Sequence, residues 1–566
     1  MTAPTWSTAC PDWERRVIAG ESLIPFDPLF PDQAQAALEI FQQLRIVDAP
    51  GSPTIGESCR PWVFDFASAI FGAYDAEAGR RLIRNFLLLV SKKNSKSTTA
   101  AGIMLTALLR NWRMSGEFLI VAPTIEVAKN SFEPAADMVR ADPALSALLH
   151  VKPNFRTIVH RNTNASLKVI AADNETVSGK KAIGVLIDEL WLFGKRAGAE
   201  NMLREVTGGL ASRPEGFVVY LSTQSDDPPA GVFRQKLNEF RDIRDGIITD
   251  PRSLGVLYEF PKAMIDRGDY RKPENFYVTN PNLGASVDTE FLLGEFTRAE
   301  RAGADSLCGF AAKHLNVEIG LALRSDRWEG AEHWLDQVDE TITLETLIER
   351  SDVVVAGIDG GGLDDLLGLA IMGRDAKTRD WILWCHAWAH EKLLDRHTQI
   401  APALRDFERA GNLTVYKTPG DDVAELVDYV MQVELAGKFP AKFGIGVDVV
   451  GISEIVDGLA AAGITEQSEK IAAVTQGWKL ANTIKTTARR LAACGLWHDG
   501  SGLMSWCVGN AKVEPRGNAI LITKQVAGAG KIDPLMATFN AAALMSRNPE
   551  PAAAFIYRDE RDLRFL

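Results

Sequence analysis

In the first half of the chain, short runs of consecutive apolar residues are separated by helical patterns and polar turns. Phe86 to Val90 (FLLLV) reads as an apolar strand, Ser91 to Ser95 as a polar loop, and Lys96-Ser97 as the start of a helix whose small and apolar residues can pack on a sheet. Phe118 to Thr124 (FLIVAPT) is a second apolar run, followed by a helical pattern through Arg140. Gly184 to Phe193 (GVLIDELWLF) sets apolar residues before an acidic pair, and Phe217 to Asp227 (FVVYLSTQSDD) is a further buried-type strand ending in polar residues. Strands that alternate with helices and end in polar residues predict a parallel sheet with its ligand along the carboxyl edge.

The second half follows another pattern. Val353 to Ile358 is an apolar run ending at Asp359; three glycines make a tight turn, and Leu366 to Met372 runs back, which predicts a β-hairpin. WILWCHAWAH supplies a third strand, FGIGVDVVG (Phe443 to Gly451) another apolar strand ending in the lone acid Asp448, and KIDPLMATFNAAALM a helix starting at Asp533. Leu323 to Ser351 is charged with two tryptophans and reads as a linker, while the proline-bearing start reads as an extension or lid. The expected class is α/β: 1–60 extension, 61–322 a domain with a mainly parallel sheet, 323–350 linker, 351–566 a domain with a mixed sheet.

Candidate chemistry sits at the strand ends. Lys92, Lys93, Asn94, Ser95, Lys96, Ser97 and Thr98 have the layout of a phosphate-binding loop, although Val90 and Ser95 occupy both glycine positions of G-x-x-x-x-G-K-[ST]. In that reading backbone N–H groups and the helix N-terminus hold phosphates, Lys96 neutralises the β/γ oxygens and Ser97 ligates Mg²⁺. The other reading is a lysine-rich surface turn. Asp188 would hold the magnesium and Glu189 orient and deprotonate water, unless the pair merely marks a strand entering solvent. Thr223 or Gln224 would sense the γ-phosphate, or belong to a plain loop. Trp62 or Phe64 would flank an adenine, or serve as core aromatics.

Asp359, Asp365, Asp448 and Asp533 arrive on a hairpin, a later strand and a late helix, where they would hold a pair of Mg²⁺ or Mn²⁺ ions for phosphodiester cleavage. Each has a plainer reading: Asp533 before Pro534 as a helix N-cap, Asp448 as a turn cap, Asp364 and Asp365 as solvated turn residues. The histidines at 386, 390, 397 and 498 lack metal-ligand spacing. Arg80-Arg81 with Arg84, Lys180-Lys181, Lys195-Arg196 and KTTARR (Lys485 to Arg490) would meet DNA phosphates or form solvated faces.

Composition sets outer limits. A chain of 566 residues should hold two or more domains. The net charge of −12 excludes a wholly basic nucleic-acid coat but not a local basic face. Six scattered cysteines without a C-x-x-C pair are expected to be reduced thiols, and neither a signal-peptide core nor a membrane-length apolar run appears, so a soluble intracellular protein is expected.

The order of phosphate loop, Asp-Glu strand end and S-T-Q strand end resembles the ATPase half of the large terminase subunit of tailed bacteriophages, a family whose loop departs from the glycine pattern and often carries an early basic residue, as Lys92 and Lys93 provide. NPNLG (Asn280 to Gly284), KHLN (Lys313 to Asn316) and SWCVGNAKVEPRGN (Ser505 to Asn518) also resemble its recurrent segments. Where the family often has glutamine after Pro-Trp, this chain has Val63. The resemblance implies an N-terminal P-loop-type ATPase that drives double-stranded DNA and a C-terminal ribonuclease-H-like nuclease in which Asp359, Asp448 and Asp533 fall on metal-binding acids and Asp365 on an auxiliary one. It implies ATP with Mg²⁺, Mg²⁺ or Mn²⁺ in the nuclease, a portal protein and a small terminase subunit as partners, a homo-oligomeric ring on the portal from a possible monomer in solution, and no membrane. It also implies work in the host cytoplasm and transiently at the procapsid portal, outside the mature virion. Arg140 is one candidate for an arginine finger. The alternatives are another ATP-dependent helicase-nuclease and a non-catalytic assembly protein of the same fold.

Overall fold

The computed structural model describes residues 6–171, 182–196, 198–319, 328–448, 453–516, 519–524 and 530–552. The chain divides into two compact units, Met1–Ile319 and Gly320–Leu566.

The first unit is built on an eight-stranded sheet: β1 (Asn85–Leu89), β2 (Glu117–Ala122), β3 (Leu149–Lys152), β4 (Thr157–His160), β5 (Ser166–Ala171), β6 (Ala182–Ile187), β7 (Phe217–Ser222) and β8 (Ser253–Leu257). Their spatial order is β8-β1-β7-β6-β2-β5-β4-β3. The six strands from β8 to β5 run parallel, and β4 and β3 close the far side antiparallel. Helices cover the sheet, which is why the strands are continuous apolar runs. Leu87, Val121, Val185, Ile187 and Val218 are buried with Phe193, Phe233 and Phe240 from the covering segments.

Helix α1 (Lys96–Leu109) is buried along most of its length. Its outer neighbour is the N-terminal segment. A Cβ on Gly102 would lie 2.7 Å from the Phe41 ring, so glycine at that turn lets the helix of Pro31–Gln43 seat its apolar face, Ala34, Ala37 and Phe41. Trp6 Nε1 and Thr8 Oγ1 donate to the carbonyls of Pro251 and Asp250. The expected N-terminal extension, where it is described, is therefore packed into the first unit.

The second unit holds a seven-stranded mixed sheet of β9 (Ser351–Gly360), β10 (Leu366–Asp375), β11 (Trp381–His390), β12 (Leu413–Tyr416), β13 (Ile445–Val447), β14 (Ile471–Ala473) and β15 (Leu496–His498). The order is β12-β11-β10-β9-β13-β14, with β15 also pairing β11. The first three strands form an antiparallel meander, and β12 to β15 join in parallel. One face packs large apolar residues such as Val354, Ala356, Ile358, Leu367, Leu369 and Trp388 with Leu426, Val430 and Leu459. The other face carries helix α2 (Asp533–Met545), which lies close because glycines face it. A Cβ on Gly357 would fall 2.0 Å from the Ala537 carbonyl oxygen, and one on Gly368 2.7 Å from the Pro534 nitrogen.

The stretch expected as a linker also belongs to this unit where it is described, from residue 328. Trp328 is buried edge-on to Phe539 at 5.1 Å and donates to the Ile484 carbonyl; Trp334 stacks on His498 at 3.9 Å. The area of two indoles outweighs the charge around them. Among the described residues no helix is long and apolar enough to cross a membrane.

Candidate active sites

The strand order sets β1, β7 and β6 side by side, so the loop after Leu89, the Ser222-Thr223-Gln224 end and the Asp188-Glu189 end meet on one edge. The loop turns into α1 through two left-handed residues without glycine. Lys93 and Ser95 take left-handed backbone, φ 72° and 56°. Each costs on the order of 1–2 kcal/mol for an L-residue, so the surroundings must enforce them. The enforcement comes from Asn94, whose side chain is fully buried. Its amide donates to the Ser91 carbonyl (3.0 Å) and to Asn280 Oδ1 (2.9 Å), and its oxygen accepts the Asn282 backbone N–H (3.0 Å). Ser286 Oγ donates to the Lys93 carbonyl at 2.7 Å, and the Lys313 carbonyl accepts the Lys92 N–H at 2.9 Å. The NPNLG and KHLN segments thus do the positioning that glycines and local turns do elsewhere.

Behind this loop lies a charged cluster. Lys96, 7% exposed, places Nζ 2.8 Å from Glu189 Oε1, and the Trp191 indole N–H donates to Oε2 at 2.5 Å. Burial pushes the Glu189 carboxyl up, but Lys96 and the two hydrogen bonds prevail and hold it below its ordinary value. Asp188 is fully buried; Ser131 Oγ donates to it at 2.6 Å and the Glu189 N–H at 2.9 Å. Burial raises its carboxyl above the usual range, as suits an acid placed to share a cation's charge. Thr223 Oγ1, Thr99 Oγ1 and both polar atoms of the Gln224 amide are buried and make no hydrogen bond among the described residues. Orphaned polar atoms cost about 1–3 kcal/mol each, and their concentration beside Lys96 and Asp188 fits a site for a polar ligand such as a magnesium triphosphate. Ser97 and Thr98 are half-buried at the start of α1; Lys92 and Lys93 are exposed.

Trp62 is buried, with its N–H given to Asn282 Oδ1 at 2.8 Å and its ring edge-on to Tyr258; Phe64 meets Phe41 edge-on. Trp62 thus braces the segment that holds the loop, and Phe64 packs on the N-terminal helix.

In the second unit the backbone brings the acids to one end of the sheet. Asp359 pairs Gly368 across the hairpin, and Ile358 pairs Val447 on the other side, so Asp359 and Asp448 follow as next neighbours on adjacent strand ends, roughly 5 Å apart in backbone. Gly357 and Gly446 face α2, with the Ala537 and Asn540 carbonyls close to where a Cβ would stand. Alternation puts Asp359 and Asp448 on that same face. Asp533, 4% exposed, stands in the first turn of α2, its Cγ 3.2 Å from a Cβ built on Gly360. Asn540 Nδ2 donates to the Ile358 carbonyl at 2.9 Å and pins the helix to the strand.

The N-cap of α2 is Ile532, with no side-chain cap bond, so the capping reading of Asp533 is corrected: Pro534 takes the second helical position and the acid the first. Asp365 lies 3.0 Å from Lys531 Nζ, which also donates to the Asp364 carbonyl at 2.7 Å. Asp364 is a turn residue against His397 and Arg396. A turn-capping role of Asp448 toward Ile452 lies outside the described residues. Among the described residues no three His, Cys, Asp or Glu side chains stand as a finished cation cage. The donor chemistry nevertheless fits hard divalent ions: carboxylates from two adjacent strand ends and a helix start, on one face.

Several members of the basic clusters are engaged in structure, whereas Arg80, Lys485 and Arg489 are exposed. Arg81 donates to the Ile70 and Glu215 carbonyls and stacks on Phe217, and Arg84 binds the carbonyls of Leu210, Arg213 and Gly216. Lys195 pairs with Asp226 and Asp227, Arg196 donates to the Pro123 carbonyl, and Arg490 covers Trp381. Arg140 pairs with Asp137 on an exposed helix end. Lys180-Lys181 lies outside the described residues. His386 meets Thr414, and His390 caps the helix of Glu391–Arg396. Ser131 and Trp191 carry no local motif of their own and emerge only from the fold, whereas Asn316 closes the KHLN segment that the sequence already marks.

Residues 61–237 match the family model for the terminase large subunit, ATPase domain. The large terminase subunit of Enterobacteria phage HK97 is 24% identical over 386 residues, covering 67% of this chain and 70% of that protein. Protein YmfN of Escherichia coli K12 is 26% identical over 318 residues, 54% of this chain and 65% of that protein. The crystal structure of the HK97 large terminase aligns over 90% of this chain and 99% of its own, at 20% identity and TM-score 0.46.

Proposed function

On the footing that this chain is related to the terminase large subunits, we propose that it is a DNA-packaging ATPase and nuclease that drives double-stranded DNA into procapsids and cuts it at the start and end of packaging. The observation that carries the reading is the edge where Lys96, Asp188 and Glu189 converge under a loop clamped by Asn94.

Lys96 and the N–H groups at the start of α1 would bind the β and γ phosphates, Ser97 and Asp188 hold Mg²⁺, and Thr223 and Gln224 meet the γ-phosphate. The triphosphate oxygens would compete for the Lys96 ammonium and so release Glu189 Oε1. That oxygen takes a proton from water as its oxygen attacks the γ phosphorus and the bond to ADP breaks. In the second unit Asp359, Asp448 and Asp533 would hold the ions, with Asp365 beside them. Bound there, Mg²⁺ or Mn²⁺ supplies an activated water and charge for the leaving oxygen. The partners of this reading are DNA, a portal protein and a small terminase subunit, with assembly as a ring on the portal and action in the host cytoplasm, outside the mature virion.

The test is a pair of activities on purified full-length protein. Lys96→Ala and Glu189→Gln should each lower ATP turnover at least a hundredfold while Mn²⁺-dependent plasmid cleavage persists. Asp359→Ala and Asp448→Ala should abolish cleavage and spare ATP turnover. Strand unwinding by the wild type would favour a helicase-nuclease instead, and absence of ATP turnover would favour a non-catalytic assembly protein.

A further inference from the structure

Glu189 is held from two sides, and one side leads away from the nucleotide. Trp191, two residues on, gives its indole N–H to Oε2. The face of the same ring is covered by the Lys313 ammonium, 3.0 Å from its centroid, with Lys195 at 5.2 Å. Lys313 Nζ donates to the Gln224 carbonyl at 3.0 Å, and its own carbonyl accepts the Lys92 N–H. Three residues later Asn316 accepts the Gln224 N–H at 3.1 Å and donates to the Tyr258 carbonyl at 3.1 Å. One short segment, 313–316, thus binds the phosphate loop, the S-T-Q end, the end of β8 and, through Trp191, the candidate base. Lys313 is nearly buried, and burial lowers its ammonium while Asp226, 3.9 Å away, and Glu189 act to keep it charged. The geometry, not the titration, gives the contact its weight: the ammonium lies over the ring face and within 3.9 Å of Asp226.

We propose that Trp191 is a positioning residue for Glu189: its N–H fixes one carboxylate oxygen so that the other faces water, and the Lys313 ammonium on its ring locks the indole in that pose. Trp191 and Lys313 touch no reacting atom. The inference rests on the ATPase reading and deepens it, because the segment that sets the base is also the one that grips the phosphate loop and the γ-phosphate side.

Steady-state ATP turnover of the full-length protein with Mg²⁺ tests it. Trp191→Phe keeps a ring for Lys313 but deletes the N–H. Removing a hydrogen bond to a charged acceptor is worth roughly tenfold or more in rate when it acts in the transition state, so kcat should fall at least tenfold with KM within about twofold. Lys313→Met should lower kcat in the same way, and Lys313→Arg, which restores a cation over the ring, should recover most of it. Thermal unfolding of each variant identifies any that fail to fold, and if Trp191→Phe does, the Met-against-Arg comparison at 313 decides alone. An unchanged kcat in Trp191→Phe, a loss confined to KM, or equal loss in Lys313→Met and Lys313→Arg overturns the proposal. Wild-type activity that disappears in Glu189→Gln but survives in Trp191→Phe overturns this inference alone; a wild type without turnover overturns the ATPase reading beneath it.

Discussion

Gly357→Ala puts the convergence of the acids to a direct test. The methyl group would stand 2.0 Å from the Ala537 carbonyl oxygen and 2.5 Å from the Ala541 nitrogen, both backbone atoms of α2. Ordinary contacts begin near 3.5 Å, so α2 must lift from β9 by roughly 1–1.5 Å, and no rotamer change relieves it. Overpacking a core costs about 1–3 kcal/mol; with backbone on one side and a central strand on the other, the upper end applies. For a unit of this size each kcal/mol lowers Tm by about 2–4 °C, which gives a fall of about 6–12 °C in the transition of the second unit. The lift also carries Asp533 away from Asp359, so Mn²⁺-dependent cleavage should drop at least tenfold at a temperature where the variant is folded, while ATP turnover stays within twofold as an internal control. A variant that keeps both its melting transition and its cleavage would refute the placement of α2 on this face, and with it the shared site.

Two further outcomes follow from the same structure. Asn94→Ala removes the donor to Asn280 and leaves the Asn282 N–H buried without its acceptor; it should cost the ATPase unit about 1–3 kcal/mol in urea unfolding and raise KM for ATP several-fold, and an unchanged KM would show that the clamp does not shape the loop. Asp499 sits at about 6, pushed up by burial, against its accepted N–H groups of Ser501 and Cys385. Its folded value lies above the unfolded one, so the folded state holds the extra proton between about pH 4 and 6, and stability falls as pH rises through that window; above it the full penalty stands, on the order of 2–3 kcal/mol. Asp499→Asn should therefore stabilise the second unit at pH 8 and do little at pH 4; equal Tm changes at both would contradict the assignment.

How far the chain could be read depended on the range of each interaction. Val185 to Asp188 and Val355 to Asp359 announce themselves because strand period, burial and a terminal acid are encoded within a few neighbouring residues. The hairpin turn at Gly360–Gly362 and the start of α2 are equally local. How residues 6–60 pack is not legible because the partner of Phe41 is Gly102, a contact no window contains, and the burial of Trp328 and Trp334 is not because charged neighbours hide two indoles that meet Phe539 and His498. Arg81 and Arg84 read either as DNA-facing or as part of a solvated face, whereas their guanidiniums bind carbonyls of a distant turn.

The candidate phosphate loop shows how left-handed turns can be held without the glycines of the motif. Glycine lowers the cost of a left-handed residue within the loop itself, whereas here Lys93 and Ser95 accept that cost and the correction comes from Asn280, Asn282 and Lys313, some two hundred residues later in the chain. Shape dictated from afar makes the loop dependent on the segments that hold it. Anything that moves residues 313–316 moves Lys92, Gln224 and the indole on Glu189 together. The glycine-free sequence and the dense clamp are two halves of one arrangement, in which the phosphate loop takes its conformation from the exit segment of its own unit.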